Sequence, residues 1–145
     1  MRWLRRRGAD KGNPVEAAFQ HCRHSCCCGG RTIVNKDISI HIHLAESERE
    51  DLDCKAAHGG LSPVEYLEAL GVLGPDVIAA HTLWLSEHDI ELLGKYHVNC
   101  VHNINSNTKL ASGYKFKWKE LTDAGANVCL GTDGCASSNN LDMLE

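Results

Sequence analysis

The chain has 145 residues, which is enough for one domain with a core but too few for a complete β/α barrel of roughly 250 residues. Its 43% hydrophobic and 23% charged residues are typical of a soluble globular protein, and its net charge of −4 argues against nucleic acid as the main partner. No apolar stretch approaches the ~18 residues that a membrane span requires.

The first 35 residues differ in pattern from the rest of the chain. Their basic start, MRWLRRRGADKGN, is followed by no apolar segment, so we do not predict a secretory signal, although its arginines leave a transit peptide open. A dense run of cysteines and histidines, His21 to Cys28, raises the question of zinc, but structural zinc sites pair their ligands across a longer loop. We interpret residues 1–35 as a poorly structured leader that precedes a regular domain over residues 36–145.

The eight cysteines indicate a reducing compartment rather than a disulfide framework. Cys54, Cys100 and Cys129 lie singly in helix-like or strand-like segments, which is typical of buried free thiols. We therefore predict a cytoplasmic protein.

The first predicted strand, over 37–44, leads into a polar helix over 47–57 that the Gly59-Gly60 turn ends. The run Ser62-Pro63-Val64-Glu65 is a capping box with proline at the first helical position. It predicts the start of a second helix, which Gly71 stops.

The same alternation continues along the chain. A strand over 77–80 precedes a helix that begins at Ser86, with an apolar stripe along one side. A strand over 98–101 then leads into a long loop, HNINSNTKLASGY, over 102–114.

A helix over 115–124 and a strand over 127–130 complete the series. The lysines and aromatic residues that alternate at the start of this helix do not share one helix face, so they do not indicate nucleic-acid binding. Strands and helices that alternate through short polar turns form parallel βαβ units with right-handed crossovers. The predicted fold class is α/β, part of a (β/α)₈ barrel of the TIM type.

Each predicted strand ends in residues that can carry chemistry: His43 with Glu46, then His81, His102 and Asp133. In β/α barrels, catalytic groups lie at the carboxyl ends of the strands. Imidazole and carboxylate groups are ligands that zinc and iron accept, and a nearby glutamate can carry a proton. The pattern predicts a metal-dependent hydrolase.

These residues also have structural interpretations. His43 could be a hydrogen-bonded strand histidine, Glu46 a carboxylate at a helix N-terminus, and Asp133 part of an Asp-Gly turn. His102 is as well explained by bonds into the loop that follows it. His41 shares a strand face with His43 and could be a second ligand or pack deeper in the barrel.

Five stretches carry a resemblance to a known family: HIHLAESERE, SPVEYLEALGVL, AAHTLWLSE, VHNINSNTKLASG and LGTDGCASSNNLDMLE. They make the segment from about Ile38 to Glu145 resemble the amidohydrolase superfamily. The closest likeness is to its 5-methylthioadenosine/S-adenosylhomocysteine deaminases, with the related chlorohydrolases of the ATZ/TRZ type. The strings SN-x-KLASG and GTDG-x-x-S-x-NN-x-D are the most specific.

The resemblance implies a hydrolytic deaminase that acts on a small molecule such as methylthioadenosine or S-adenosylhomocysteine. It also implies one divalent metal, with zinc favoured and iron as the alternative. It implies that His43 and Asp133 are metal ligands and that Glu46 binds and protonates the substrate ring. It further implies that His81 assists the attacking water, that Asp133 takes a proton from it, and that Ser137 contacts the purine. Complete members of the family are expected to form homo-oligomers.

The resemblance also implies that strands 5 to 8 of the barrel are present and strands 1 to 4 are not. The H-x-H pair of the family's first strand has no counterpart before Lys36, and Ile104 stands where the family has proline. We therefore expect a partial catalytic domain over residues 36–145. Since His43 and Asp133 are the only ligands that the resemblance assigns, we expect weak metal affinity and no deaminase activity from this chain alone.

Two other interpretations stay open. In one, the same scaffold acts on another ring, such as guanine, a triazine or a halide-bearing ring. In the other, the chain is a non-catalytic remnant or binding module in which His21 to Cys28 form a structural zinc clip.

Overall fold

The computed structural model describes residues 39–113, 115–139 and 141–143 of the chain. The predicted leader and its cluster from His21 to Cys28 lie outside the described residues. The elements are, in chain order, β1 (Ile40–Leu44), α1 (Glu48–Ala57), α2 (Pro63–Ala69), β2 (Val77–His81), α3 (Glu87–Lys95), β3 (Asn99–His102), α4 (Ile104–Lys109), α5 (Trp118–Ala124), β4 (Asn127–Leu130) and α6 (Cys135–Ser138). Among the helices of the described segments, none is long and apolar enough to cross a membrane.

The four strands form one parallel sheet in the order β1-β2-β3-β4, so each strand pairs with the next one along the chain. Because all four strands run in the same direction, their carboxyl ends meet at one edge of the sheet. At that edge the register places Leu44 beside His81 and His102 beside Leu130. The predicted alternation of parallel strands and helices is confirmed.

The side chains of β1 show how the sheet divides into two faces. Ile40, Ile42 and Leu44 are buried and belong to the apolar cluster that the strands share with the helices. His41 and His43 alternate with them on the opposite face, where His41 is exposed and His43 is half-buried. The apolar positions of the strand therefore hold the helices, and the histidines are left for the other face.

Two capping boxes and one buried aspartate fix the starts of α2 and α3. The predicted capping box is confirmed, because the Ser62 hydroxyl accepts from the Glu65 amide at 3.1 Å and the Glu65 carboxylate accepts from the Ser62 amide at 2.7 Å. Ser86 and Asp89 form the same arrangement at the start of α3. Asp89 is buried and also accepts from the Ser62 hydroxyl, so one carboxylate joins the two helix starts.

Helices α3 and α5 come into close contact at Gly94. A Cβ at this position would lie 2.1 Å from the carbonyl oxygen of Ala124, which is nearer than any side chain can fit. Leu93 and Leu121, one from each helix, are fully buried in the apolar cluster. Glycine at position 94 is therefore what allows these two helices to pack.

The segment 102–114, which the sequence predicts as a long loop, contains the helix α4. This helix is polar and no side chain caps its start, so its sequence carries little helical signal. Ser106 and Asn107 of α4 are nevertheless buried, at 0% and 1% exposure. Tertiary contacts made by these two residues therefore determine the helix.

The predicted helix over 115–124 begins only at Trp118, where α5 starts. Before it, Phe116 is buried and its ring stacks on His102 at 4.4 Å between ring centroids. The Lys117 ammonium donates to a backbone carbonyl at 2.6 Å. These long-range contacts hold the first residues of the segment outside the helix.

The cysteines meet the prediction of buried free thiols only in part. Cys54, Cys100, Cys129 and Cys135 are all free, and Cys100 is buried while Cys54 is half-buried. The prediction is wrong for Cys129, which is exposed. The reason is that β4 is an edge strand, with no further strand beside it among the described residues.

Candidate active site

Side chains from three strand ends meet at the carboxyl edge of the sheet. The Glu46 carboxylate lies 3.9 Å from His43 Nδ1 and 3.8 Å from His81 Nε2. Asp133 Oδ2 lies 4.0 Å from the same His81 nitrogen. The His43 and His81 rings meet edge to face, with 4.9 Å between their centroids. The fold thus brings together four residues that the sequence singles out.

Glu46 reaches this cluster because the chain turns sharply after β1. Ala45 has a left-handed backbone, with φ of 51°, and its carbonyl accepts the amides of Leu83 and Trp84, which follow β2. The Glu50 carboxylate accepts the amides of Ala45 and Glu46 at 2.9 and 2.8 Å. The turn is therefore held both from the neighbouring strand and from the first turn of α1.

Glu50 is a residue of the site that the sequence analysis missed. Burial raises the pKa of its carboxyl group, although the hydrogen bonds from the backbone of Glu46 and Ala45 oppose the shift. Acidic residues are common in the first turn of a helix, so Glu50 and the exposed Glu48 look alike in sequence. The difference between them arises only when the turn after β1 folds back onto the helix.

The pKa of His43 lies below its ordinary value. Burial is the largest cause and the nearby His81 adds to it, while Glu46 and Asp133 oppose it. A lowered pKa keeps the imidazole neutral at physiological pH, which is the form that binds metal ions.

His81 is the most enclosed member of the cluster, with 0% of its surface exposed. Its backbone is left-handed, with φ of 75°. Its Nδ1 lies 2.6 Å from Oδ1 of Asn107 in α4. Its Nε2 has no hydrogen-bond partner among the described residues, although the carboxylates of Glu46 and Asp133 lie nearby. A buried polar atom without a partner is costly and indicates a place for a further ligand.

Asp133 follows β4 and is held by two hydroxyl groups. Ser106 donates to its Oδ2 at 2.5 Å and Ser137 donates to the same oxygen at 2.8 Å. Burial raises the pKa of Asp133, but the hydrogen bonds from Ser106 and Ser137 outweigh it, so the pKa lies below its ordinary value. Asp133 is an anion at neutral pH. The expected contact of Ser137 with a purine stays a prediction.

Ser112 connects Glu46 to a cleft beside the cluster. Its hydroxyl donates to Glu46 Oε1 at 3.2 Å, and its carbonyl accepts from the Trp84 indole at 2.7 Å. The cleft has a volume of about 470 Å³ and is lined by Asp51, Lys55, Leu83, Trp84, Leu85, Ser86, Gly113, Lys115 and Lys117. Trp84 of this lining is thus linked to Glu46 through Ser112, but none of the four cluster residues lines the cleft.

The contacts of His102 favour its structural interpretation. Its Nδ1 lies 3.5 Å from Nδ2 of Asn107, and its ring stacks on Phe116. Burial, followed by the nearby His81, lowers its pKa.

Three further residues with contacts in the site, Ser106, Asn107 and Ser112, were given no role there by the sequence analysis. All three lie in the stretch SNTKLASG, which is specific as a string but does not indicate what each side chain contacts. Their partners in the cluster lie at the end of a strand or just after one and are 26 to 66 residues away in the chain, so their roles follow from the fold.

The cluster fits a divalent metal ion. His43, Glu46 and His81 offer ligand atoms that all lie within 4.8 Å of one another. Imidazole and carboxylate groups are the donors that zinc prefers, and the partnerless Nε2 of His81 would gain a neighbour from an ion or its water. The assignment of His43 and Asp133 as the metal ligands stays a prediction.

Comparison with known proteins places this geometry in a family context. The model of the amidohydrolase family matches residues 32–145. The chain is 56% identical over 116 residues to a 5'-deoxyadenosine deaminase of Methanosarcina barkeri, a match that covers 79% of this chain and 26% of that protein. It is 52% identical over 110 residues to a 5'-deoxyadenosine deaminase of Methanoregula boonei, covering 76% and 25%.

Solved structures of the same fold include two with zinc. An adenosine deaminase from Xanthomonas campestris, with bound zinc, aligns with a TM-score of 0.69 at 40% identity over 74% of this chain and 24% of its own. An atrazine chlorohydrolase from Arthrobacter aurescens TC1, complexed with zinc, aligns with a TM-score of 0.68 at 26% identity over 74% and 23%. The predicted partial β/α barrel is confirmed. The chain spans about a quarter of the length of the relatives it matches.

Proposed function

Because the chain belongs to the amidohydrolase family, we propose that it supplies part of the catalytic site of a metal-dependent hydrolase that deaminates a purine nucleoside. The observation that carries the proposal is the meeting of His43, Glu46, His81 and Asp133 at one edge of the sheet. The zinc in solved relatives supports a metal at this edge.

We assign metal binding to His43 and Asp133, with zinc as the preferred ion. The pKa of each group lies below its ordinary value, so each is in the protonation state that a ligand needs at neutral pH. A divalent metal held by these residues would act as a Lewis acid and would lower the pKa of water at the site to about 7. Catalytic zinc sites use three or more protein ligands. We propose that the remaining ligands come from the part of the enzyme that, in the relatives, lies outside the segment matched by this chain.

Glu46 is the proposed proton donor to the purine ring. Protonation of a ring nitrogen makes the neighbouring carbon, which bears the amino group, more open to attack by water. Glu46 is held at its backbone, where the Glu50 carboxylate accepts its amide, and at its side chain, where Ser112 donates to Oε1. Such fixing keeps the acid in one position over the substrate.

His81 and Asp133 are the proposed proton acceptors. The two groups lie close to each other, with 4.0 Å between His81 Nε2 and Asp133 Oδ2. The attacking water forms the new carbon–oxygen bond, one of its protons reaches the amino group, and the carbon–nitrogen bond breaks to release ammonia. Its second proton returns to Glu46, which has protonated the ring nitrogen, so a ring carbonyl remains and the acid is restored. We further propose that Ser137 contacts the substrate, a role that its hydrogen bond to Asp133 supports.

Among possible substrates, we propose a 5'-modified adenosine, the class that includes methylthioadenosine, S-adenosylhomocysteine and 5'-deoxyadenosine. The proteins named 5'-deoxyadenosine deaminase are 56% and 52% identical to this chain, whereas the atrazine chlorohydrolase is 26% identical. The TM-scores of 0.69 and 0.68 do not separate deaminase from chlorohydrolase, so sequence identity is what favours the nucleoside.

A chimeric enzyme tests the proposal. The matched segment of the Methanosarcina barkeri 5'-deoxyadenosine deaminase is replaced by the corresponding residues of this chain, and ammonia release is measured with 5'-deoxyadenosine, methylthioadenosine, S-adenosylhomocysteine, guanine and atrazine. We expect deamination of the adenosine derivatives and about one zinc per chain by elemental analysis.

Two variants of the chimera serve as a matched pair. Asp133→Asn removes the ligand charge and is expected to lose both zinc and activity, whereas Glu48→Gln changes an exposed carboxylate on the neighbouring helix and is expected to lose neither. A folded chimera that binds zinc but releases no ammonia from any nucleoside would contradict the proposal. Turnover of atrazine alone would favour the chlorohydrolase alternative.

We also propose a reducing, cytoplasmic location. The free state of Cys54, Cys100, Cys129 and Cys135 supports it. Thiol counting on the native protein without reductant is the direct measurement, and all four of these cysteines are expected to react once the chain is unfolded.

A further inference from the structure

Asn107 lies between two histidines that come from neighbouring strands. It is 1% exposed, and its side-chain oxygen lies 2.6 Å from Nδ1 of His81. Its side-chain nitrogen lies 3.5 Å from Nδ1 of His102. The two ends of one amide therefore face two imidazoles, and a single group can affect the protonation pattern of both.

The chemistry of the amide determines what each ring must carry. An amide oxygen only accepts, so His81 must hold its proton on Nδ1 to bond with it. A neutral imidazole has one ring proton, and the Nε2 of His81 is then left with a free lone pair. The amide nitrogen only donates, so a hydrogen bond across the 3.5 Å to His102 requires Nδ1 to be the bare nitrogen of that ring. Bonds at both ends of the amide would therefore hold the two histidines in opposite tautomers.

The lone pair of His81 has a defined place. Nε2 is buried, has no hydrogen-bond partner among the described residues, and lies 3.8 Å from Glu46 and 4.0 Å from Asp133. The preceding residue of the same helix, Ser106, donates to Asp133. One turn of α4 thus supports both the histidine and the aspartate of this edge.

We propose that Asn107 is a positioning residue that keeps neutral His81 in the Nδ1–H tautomer and so presents a bare Nε2 between Glu46 and Asp133. The use of this nitrogen as a proton acceptor rests on the proposed function. The tautomer itself is a property of the fold and can be measured without substrate or metal.

The test is nitrogen NMR of histidine side chains in the full chain labelled with ¹⁵N-histidine, with metal removed by a chelator. The measurement is made at about pH 9, well above the ordinary imidazole pKa of about 6.5. We expect His81 to show a protonated Nδ1 and a bare Nε2, and His102 to show the reverse.

Two substitutions and a control separate tautomer control from mere packing. Asn107→Leu keeps the size but removes the acceptor, so the proton of His81 is expected to move to Nε2, with the two nitrogen signals exchanging their positions. Asn107→Asp keeps an oxygen at the same place and is expected to retain the proton on Nδ1. Asn105→Leu alters an exposed asparagine of the same helix and is expected to change nothing at His81.

The wild-type spectrum alone can overturn the proposal, because a protonated Nε2 on His81 contradicts it whatever the variants do. A folded Asn107→Leu protein, checked by circular dichroism, that keeps the Nδ1 proton would also overturn it. If Asn107→Leu does not fold, wild type and Asn107→Asp still decide the matter. Failure of the chimera to deaminate, together with the expected tautomer, would contradict the proposed function and leave this inference standing.

Discussion

The helix-facing side of the sheet and its carboxyl edge differ in side-chain polarity and in backbone conformation. On the helix-facing side, apolar residues such as Ile42, Leu93 and Leu121 pack in one cluster with regular backbone geometry. At the carboxyl edge the side chains are polar, and left-handed backbone occurs at non-glycine residues, including His81 with φ of 75° and Asp133 with φ of 60°. Strained backbone persists only where surrounding contacts determine it, and it is concentrated at functional sites.

This contrast separates what holds the fold from what could perform chemistry. The apolar side gains free energy from burial, while the edge contains a buried histidine nitrogen with no described partner and a carboxylate whose pKa is raised by burial. Residues of the edge are therefore expected to matter to activity more than to folding, and residues of the apolar side the reverse.

The largest expected effect is at the edge. Glu46→Gln in the chimeric enzyme removes the proposed proton donor while keeping the size of the side chain, and we expect deamination to fall about 10²- to 10⁴-fold. Steady-state kinetics with 5'-deoxyadenosine measures this, and urea denaturation checks that stability is retained. Equal loss from Glu48→Gln, whose carboxylate is exposed, would show that general charge loss rather than the acid is responsible.

On the apolar side, we expect a loss of similar free energy, but it appears in the free energy of unfolding rather than in the rate of deamination. Leu93 is 0% exposed, so Leu93→Ala should lower the free energy of unfolding by about 2–5 kcal/mol through lost burial and a cavity. Urea denaturation followed by circular dichroism measures this. Leu52, 56% exposed in α1, is the control, and Leu52→Ala should change stability by less than about 0.5 kcal/mol. Similar costs for both would mean that the apolar cluster is not the stabilising region.

A smaller effect, with a defined pH dependence, is expected for Ser106→Ala. Burial raises the pKa of Asp133, but the hydrogen bonds from Ser106 and Ser137 lower it by more than burial raises it. The pKa in the folded protein is therefore below its ordinary value, and folding favours the ionised form. This contribution is present at neutral pH and is lost as the pH falls through the lowered pKa. Ser106→Ala should therefore lower the free energy of unfolding by about 1 kcal/mol at neutral pH. This value is smaller than that of a fully buried hydrogen bond to a charged group, because Asp133 is partly exposed and solvent screens its charge.

Urea denaturation of the metal-free protein tests this prediction at neutral pH and at about pH 3, which is below the ordinary aspartate pKa of about 3.9. The loss of unfolding free energy caused by Ser106→Ala should be smaller in acid. Thr108→Ala is the control, because this exposed hydroxyl on the same helix donates only to the carbonyl of Ile104. A cost for Ser106→Ala that is the same at both pH values would contradict the role assigned to its bond with Asp133.

The smallest expected effect is a gain of stability away from both regions. His97 is exposed, follows the end of α3 and has a left-handed backbone with φ of 52°. His97→Gly should raise the free energy of unfolding by about 0.5 kcal/mol, since glycine adopts this conformation without steric cost. Glu91→Gly, in the interior of the same helix, should instead lower it by about 1 kcal/mol. Thermal denaturation of both variants would show opposite signs, and a loss at both positions would mean that the His97 backbone is not strained.

The sequence predicts local features well where neighbouring residues determine them. The capping box at Ser62, the helix that ends at Gly125 and the strand over 127–130 are all present. The helix α4 was missed because its signal is weak and its buried Ser106 and Asn107 bond to distant residues. The start of α5 was misplaced for the same kind of reason.

For the candidate site, the sequence indicated which residue types stand at the strand ends, and resemblance suggested their roles. It did not distinguish Glu50 from Glu48, and it gave no role in the site to Ser112 or Asn107. Each of these depends on a contact that crosses between elements, such as the bond from Ser112 to Glu46, 66 residues apart in the chain.

By itself, the sequence determined the alternation of strands and helices, the helix starts and the chemical groups that end the strands, because these follow from contacts within a few residues. Only the tertiary structure decided that Asn107 meets His81 across 26 residues and that Ser106 meets Asp133 across 27. The physical reason is that parallel strands place their carboxyl ends side by side, so residues far apart in the chain become neighbours only when the sheet has formed.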